Sequence, residues 1–268
     1  MHALYRNHMG NDLEVVNDAR ISFAACTEAQ SWQEYQIPPE HRCQSANTSV
    51  AYIPQLSNQD KNLIGFLARG CRSGEWAANI SLLTANDIEC EEAEKILAWA
   101  KRLPPHWTPF GQQTIKLRMK APVPIRTQCF KHKIGFVENE ESRRYIQSTP
   151  ELFIPEFRMA PESDIKQGSA GPHPDNALWQ SFYRQHCEDA IVLYENMIKD
   201  SIAPEQARFV LPQGVHVNWV WTGSLFAFAE FYNKRSDPHA QQEIRDLADA
   251  VATIIRPLFP VSWDALTS

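Results

Sequence analysis

Hydrophobic and polar positions alternate most clearly where Ile115, Leu117 and Met119 interleave with Lys116, Arg118 and Lys120, the period-two signature of a strand with one buried face. Prolines at 122 and 124 close that strand and predict a turn into the residues beyond. Val215, Val217 and Trp219 repeat the same alternation. Elsewhere the spacing is helical. Asn11 with Glu14 three residues on has the form of a capping box and opens a helix at about 12–20. Trp179, Phe182, His186, Ala190, Leu193 and Met197 recur at three- and four-residue steps and predict a long helix over 176–199 whose apolar stripe is expected to enter the core. Pro204 suits the first turn of a short helix, and 225–232 and 240–255 read as two more, the latter through Ile244, Leu247, Val251 and Ile254. Strong helix formers from Glu91 to Arg102, stopped by Pro104-Pro105, predict another. Residues 27–58, rich in Gln, Ser, Asn and Pro and without periodicity, are expected to form a long surface excursion. The mixture lacks regular strand-helix-strand alternation. The expected class is therefore α+β (mixed α/β), not a doubly wound sheet.

At 268 residues and 43% hydrophobic content the chain can bury a full core as one domain. No apolar run reaches membrane-spanning length, and MHALYRNHMGND at the start lacks the apolar stretch of a signal peptide. Six cysteines without a CxxC pair suggest neither a zinc site nor a secreted disulfide framework, so a reduced cytoplasm is expected. The net charge of −6 argues against nucleic-acid binding by the whole surface. Yet residues 113–145 hold eight Lys/Arg against three Glu, a local +5. A basic pocket in an acidic protein suits small anionic ligands. Its densest part is KHKIGFVENEESRRY, 131–145, where serine hydroxyls and arginine forks both donate to phosphate oxygens. No GxGxxG and no GxxxxGK[ST] occurs, so neither the Rossmann fingerprint nor a P-loop is available.

KHK followed by NEESRRY resembles the RHRxxSxNExSxRY signature of the flavin-dependent thymidylate synthases (ThyX type). HWTPF (106–110) is similar to that family's HxTPFEH segment, and Gln128 precedes the basic triplet as it does there. MGNDLEVVNDARISF (9–23), ARFVLP (207–212) and HAQQEIR (239–245) resemble further blocks in the same order. The resemblance implies a single domain with a central twisted, largely antiparallel sheet flanked by helices, in which 27–58 and 72–105 look like insertions. It also implies reductive methylation of dUMP to dTMP, with methylenetetrahydrofolate as carbon donor and NADPH reducing a bound FAD, in a homotetramer whose active sites are shared between subunits.

By the same resemblance, Ser142 and Arg144 match positions that hold the dUMP phosphate, with Arg143 beside them. Arg208 matches an arginine that reaches the nucleotide from a neighbouring subunit. Arg235 matches the one lying against the uracil carbonyls, where a cation stabilises electron density pushed onto the ring oxygen. Arg235 and Ser142 are thus the expected catalytic pair, and Gln128 and Glu140 further nucleotide contacts. Lys131, His132 and Lys133 fall where the family contacts flavin, and Ser22, His106, Thr108, Glu140, Ser224 and Glu230 match other cofactor-side positions.

The departures are specific. Two lysines replace the arginines of the basic triplet, giving point charges where the family has planar forks. One extra residue precedes Asn139, Gln112 takes the place of a histidine, and Ser224, Phe226 and Glu230 stand where the family often has Asn, Arg and Asn. Several of these, with KQGS at 166–169, resemble the viral and phage branch, for which the setting would be a host cytoplasm. They leave two alternatives open: a related flavin-dependent pyrimidine nucleotide methylase or hydroxymethylase, or a flavin-free nucleotide-binding relative. Read without the resemblance, Arg208 and Arg235 would pair with surface carboxylates, and Ser142 would cap a helix.

Overall fold

The computed structural model describes residues 1–69, 106–161 and 168–267, together with Ala78, Ser81, Glu91, Lys95 and Ile96. The alternating segments become β4 (Thr114–Pro122) and β6 (His216–Ser224), which pair antiparallel with Leu117 opposite Trp221. With β1 (His2–Met9) and β5 (Phe136–Glu140) they form one antiparallel sheet in the order β1-β4-β6-β5. Strict alternation sorts the sheet into two faces. Ala3, Tyr5, Ile115, Leu117, Met119, Ala121, Val217, Trp219 and Trp221 are buried on one. Lys116 and Arg118 stand exposed on the other.

Helices cover the apolar face. Those contributing to this core are α1 (Asp12–Arg20), α2 (Asn58–Arg69), α3 (Thr108–Gln112), α4 (Val123–Cys129), α7 (Leu225–Arg235), α8 (Gln242–Ile255) and α9 (Pro260–Thr267), while α5 (Asn176–Lys199) and α6 (Pro204–Ala207) pack on each other. From α7, Phe228 and Phe231 meet Trp221 edge-on with ring centroids 5.3 and 5.0 Å away, and Phe136 of β5 stacks on the same indole at 4.2 Å. Gly223 is required at this point. A Cβ there would come within 2.4 Å of the Phe136 ring. Ile244, Leu247, Val251 and Ile254 bury the expected stripe of α8. At the start of the chain, Asn11 Oδ1 accepts from the backbone N–H groups of Leu13 and Glu14 and caps α1 as expected.

Four expectations are corrected. Residues 27–58 are not an unpatterned excursion. β2 (Ser31–Gln36) and β3 (Val50–Gln55) pair antiparallel, and Ile37, Cys43, Ala51, Ile53 and Leu56 are buried. The signal was hidden because β2 is almost wholly polar and exposed and Pro54 interrupts β3. Second, the prolines after β4 start α4, where Pro124 in the first turn needs no N–H. Third, Trp179, Phe182 and Leu193 do not enter the core: they are 49%, 57% and 50% exposed, while α5 buries Cys187, Ile191 and Tyr194 instead. Fourth, Ser142 caps no helix; its Oγ accepts from the Arg144 N–H within a turn. Strand β5 and helices α2 and α9 were not anticipated. Of the helix expected at 91–102, Glu91, Lys95 and Ile96 are helical and Glu91 pairs with Lys95 at 2.7 Å; the rest lies outside the described residues.

Candidate active site

Helix α7 delivers its last turn, Lys234 and Arg235, to the junction of two cavities, and cations there are favoured by the carbonyl end of the helix. One cavity, about 730 Å³, is lined by Gln128, Gly168, Arg235, His239 and Gln241. The other, about 540 Å³, is lined by Lys131, His132, Lys133, Phe136, Phe226 and Glu230. Lys234 and Arg235 line both. Arg235 Nε donates to His132 Nε2 at 3.0 Å and its Nη2 donates to the Gln128 carbonyl at 3.2 Å. Among the described residues these partners replace the surface carboxylate that an ordinary arginine would take. Burial, with Arg235 and Lys234 alongside, pushes the His132 imidazole down to about 4. It is therefore neutral near pH 7 and accepts at Nε2.

The basic triplet itself is shaped by the strand that follows. Gly135 has φ +77°, and a Cβ there would meet Ala227 at 2.9 Å, so the chain reverses tightly into β5. Lys133 then pairs with Glu138 and lies 5.5 Å from the Phe130 ring. Ser224 caps α7, its Oγ accepting from the Ala227 N–H at 3.1 Å, and Glu230 pairs with Lys234 at 3.4 Å. Arg126, which sequence reading passed over, binds Glu140 at 3.1 Å and lies 5.2 Å from the Phe130 ring. It ties the end of β5 to the helix that carries Gln128.

A second cluster forms after β5. Arg143 donates to the Ser148 carbonyl; Arg144 pairs with Glu205 at 3.2 Å, and Arg208 Nε donates to the Glu205 carbonyl at 3.2 Å. Ser142, Arg143, Arg144 and Arg208 therefore belong to one neighbourhood. None of them lines the two cavities at Arg235.

A third place lies beyond Phe226, whose ring is 5.8 Å from that of Trp107. His106 stacks on Phe66 at 5.9 Å, and a groove of about 620 Å³ runs along Arg20, Phe23, Leu63 and Phe66. Phe23 is 82% exposed. Ser22 lies exposed beside that groove, and Thr108 opens α3 next to Trp107. Buried Gln113 fixes this arrangement, donating to Asp18 Oδ2 at 2.7 Å and to the Pro109 carbonyl at 3.2 Å. A single amide flanking the charged strand gave no signal in the sequence.

Among the described residues no cluster of His, Cys, Asp and Glu could hold a metal ion. The side chains suit a flat aromatic cofactor carrying phosphates: lysines and a neutral imidazole beside the exposed Trp107 ring and the partly buried Phe226.

The model of the thymidylate synthase complementing protein (Thy1) family matches residues 50–261. The chain belongs to this family. Among curated proteins, the flavin-dependent thymidylate synthase of Kosmotoga olearia is 32% identical over 162 residues, 60% of this chain and 70% of that one. The Thermosipho africanus enzyme is 30% identical over 181 residues, covering 66% and 78%. The Thermus thermophilus enzyme is 32% identical over 160 residues, covering 60% and 58%. Among solved structures, the UMP/dUMP methylase PolB of Streptomyces cacaoi bound with 5-Br dUMP superposes with a TM-score of 0.67, covering 99% of this chain and 94% of that one. At 20% identity that likeness shows the fold. Family membership accords with the antiparallel sheet and its helices. Residues 1–49, with Ser22, fall outside the family match.

Proposed function

We propose that this family member is a flavin-dependent thymidylate synthase, methylating dUMP to dTMP with methylenetetrahydrofolate as carbon donor and NADPH as reductant. The observation that carries this reading is Arg235 at the junction of two cavities, aimed by a neutral histidine and a backbone carbonyl. Bound flavin would supply hydride for the reductive step. Lys131, His132, Lys133 and the Phe226 face would hold it, with the groove at Phe66 and His106 available to its remainder or to the folate. Arg235 binds and polarises the pyrimidine carbonyl. Ser142, Arg143, Arg144 and Arg208 hold the phosphate, and Gln128 and Glu140 complete the nucleotide contacts.

The separation of the Ser142 cluster from Arg235 supports a site completed between copies of the chain. The exposed apolar face of α5 supports the homotetramer that would bring them together. In this reading 1–268 is one domain with 27–58 and 72–105 as insertions. It works in the cytoplasm without nucleic acid, and no described helix is long and apolar enough to cross a membrane.

The test is mass spectrometry of the nucleotide after incubating the FAD-supplied protein with dUMP, methylenetetrahydrofolate and NADPH. A methyl-sized, reduction-dependent increment is expected. A hydroxymethyl increment, or unchanged dUMP from flavin-loaded protein, overturns the reading.

A further inference from the structure

Gln128 does not stand alone in the cavity wall. Its Nε2 donates to Gln241 Oε1 at 2.7 Å, and Gln241 Nε2 donates to Glu243 Oε2 at 2.8 Å. Glu243, 6% exposed at the start of α8, takes Arg158 Nη2 on both carboxylate oxygens at 2.7 Å. Arg158 Nε in turn donates to Ser169 Oγ at 2.8 Å. The direction of every bond in this chain follows from its buried end. A carboxylate paired with arginine only accepts. Gln241 must therefore turn its NH2 toward Glu243 and its carbonyl toward Gln128, and Gln128 must answer with an N–H. An amide that would otherwise flip freely is held in one orientation. It keeps one N–H and its carbonyl oxygen for whatever occupies the cavity beside Arg235.

We propose that Arg158, Glu243 and Gln241 are positioning residues that lock the Gln128 amide for nucleotide binding. The inference rests on the reading of the cavity as a nucleotide site. A freely rotating glutamine would pay rotamer entropy on binding and present either polarity; a locked one presents a single donor and acceptor pattern. The lock enters from Gln241 and Glu243 at the start of α8 and from Arg158 and Ser169.

Two measurements test it. The first concerns polarity and needs no substrate. Gln128→Glu puts a carboxylate against the Gln241 carbonyl, and the relay, fixed at Glu243, cannot turn to relieve it. Adding Glu243→Gln lets all three groups reverse together, with Arg158 donating to the new amide carbonyl. Glu243→Gln also breaks the buried pair with Arg158, so the double variant is expected to lose clearly less than the sum of the two single losses. Simple addition of the two losses would overturn the relay.

The second uses Glu243→Gln by itself, in which Gln241 and Gln128 are free to reverse. The KM for dUMP should rise roughly tenfold, the scale of one misdirected hydrogen bond, while kcat and bound flavin stay near wild type. An unchanged KM with a lowered melting temperature would make the relay structural only and overturn its positioning role. Wild-type protein that binds no dUMP by calorimetry would instead overturn the nucleotide reading beneath it.

Discussion

Arg235 reaches 3.0 Å from Nε to Nε2 of His132, an arginine donating to a histidine that has no proton to offer at that atom. The pairing sets the charge of the site. Arg235 is the one permanent cation of the pair, and the imidazole serves as its hinge, with the ring held edge-on against Phe231 at 5.1 Å. Two adjacent cations would repel each other, so the geometry holds only while His132 is neutral.

An acid limb of folding stability follows. His132 lies near 4 in the folded chain against an ordinary 6.5. Between those values the unfolded chain takes a proton that the folded chain refuses. The stability this residue contributes is thus full above about pH 6.5 and is lost as pH falls toward about 4. NMR titration of the imidazole should show a midpoint well below 6; a midpoint at or above 6.5 would contradict the pairing.

Replacing each arginine in turn should separate the two halves of the site. Arg235→Ala is expected to abolish turnover with flavin still bound, because the lysines of the triplet and the Phe226 face remain. Arg144→Ala is expected to raise the dUMP KM about tenfold to a hundredfold, the range for one charge-assisted contact, with a smaller effect on kcat. Steady-state kinetics with flavin absorbance decide both. Flavin release from the Arg235 variant would show that the division is wrong.

Why these residues were findable, and others were not, has a physical reason. β4 and β6 announce themselves because one face is packed and the other is wet, which imprints alternation on the chain. The charged motif at 131–145 was legible because so many donors in one stretch are costly to bury and gainful at an anion. β5 was invisible: at a sheet edge its FVENE sequence answers to Arg126, Lys133 and Trp221, partners far away in sequence or in another element. Periodicity correctly gave α5 as a helix and misassigned its face. An apolar stripe says that something will cover it, not whether the cover comes from the same chain. Gln113, Arg158 and Glu243 act through a few side-chain hydrogen bonds whose partners follow no periodicity, which leave no pattern in sequence.

Cys129 should prove dispensable for chemistry. It is fully buried beneath the basic triplet, and burial pushes its thiol up to about 12, so no thiolate is available as a nucleophile. Cys129→Ala is expected to keep turnover within about twofold of wild type and to lower stability by about 1 kcal/mol for the small cavity left. Loss of turnover in a folded variant would restore a cysteine mechanism to consideration.

Asp12 joins the two ends of the chain. Only 1% exposed, it accepts from the Val261 N–H at 2.8 Å and the Ser262 N–H at 3.0 Å, and so caps α9 from α1. Asp12→Ala strands both donors in the core and should lower stability by about 2–3 kcal/mol, measured by urea unfolding. Asp12→Asn, which keeps an acceptor, should lose less. Equal losses in the two variants would mean that packing, not capping, is what the residue supplies.

The exposed face of α5 is where the proposed assembly can be tested. Trp179, Phe182, Val192 and Leu193 lie roughly half exposed on one 24-residue helix, where a lone soluble helix would carry polar residues. Phe182→Glu with Leu193→Glu should leave the three-residue inner stripe of Cys187, Ile191 and Tyr194 intact and the fold with it. Each new carboxylate, however, would be buried without a partner if copies pack there, a cost of several kcal/mol that association cannot absorb. If the proposed tetramer packs through this face, light scattering should therefore show the double variant at the mass of one or two chains in place of four. Turnover should fall with it, because the proposed shared site needs Ser142 and Arg235 from different copies. A variant that keeps both its mass and its activity would place the interface elsewhere on the molecule.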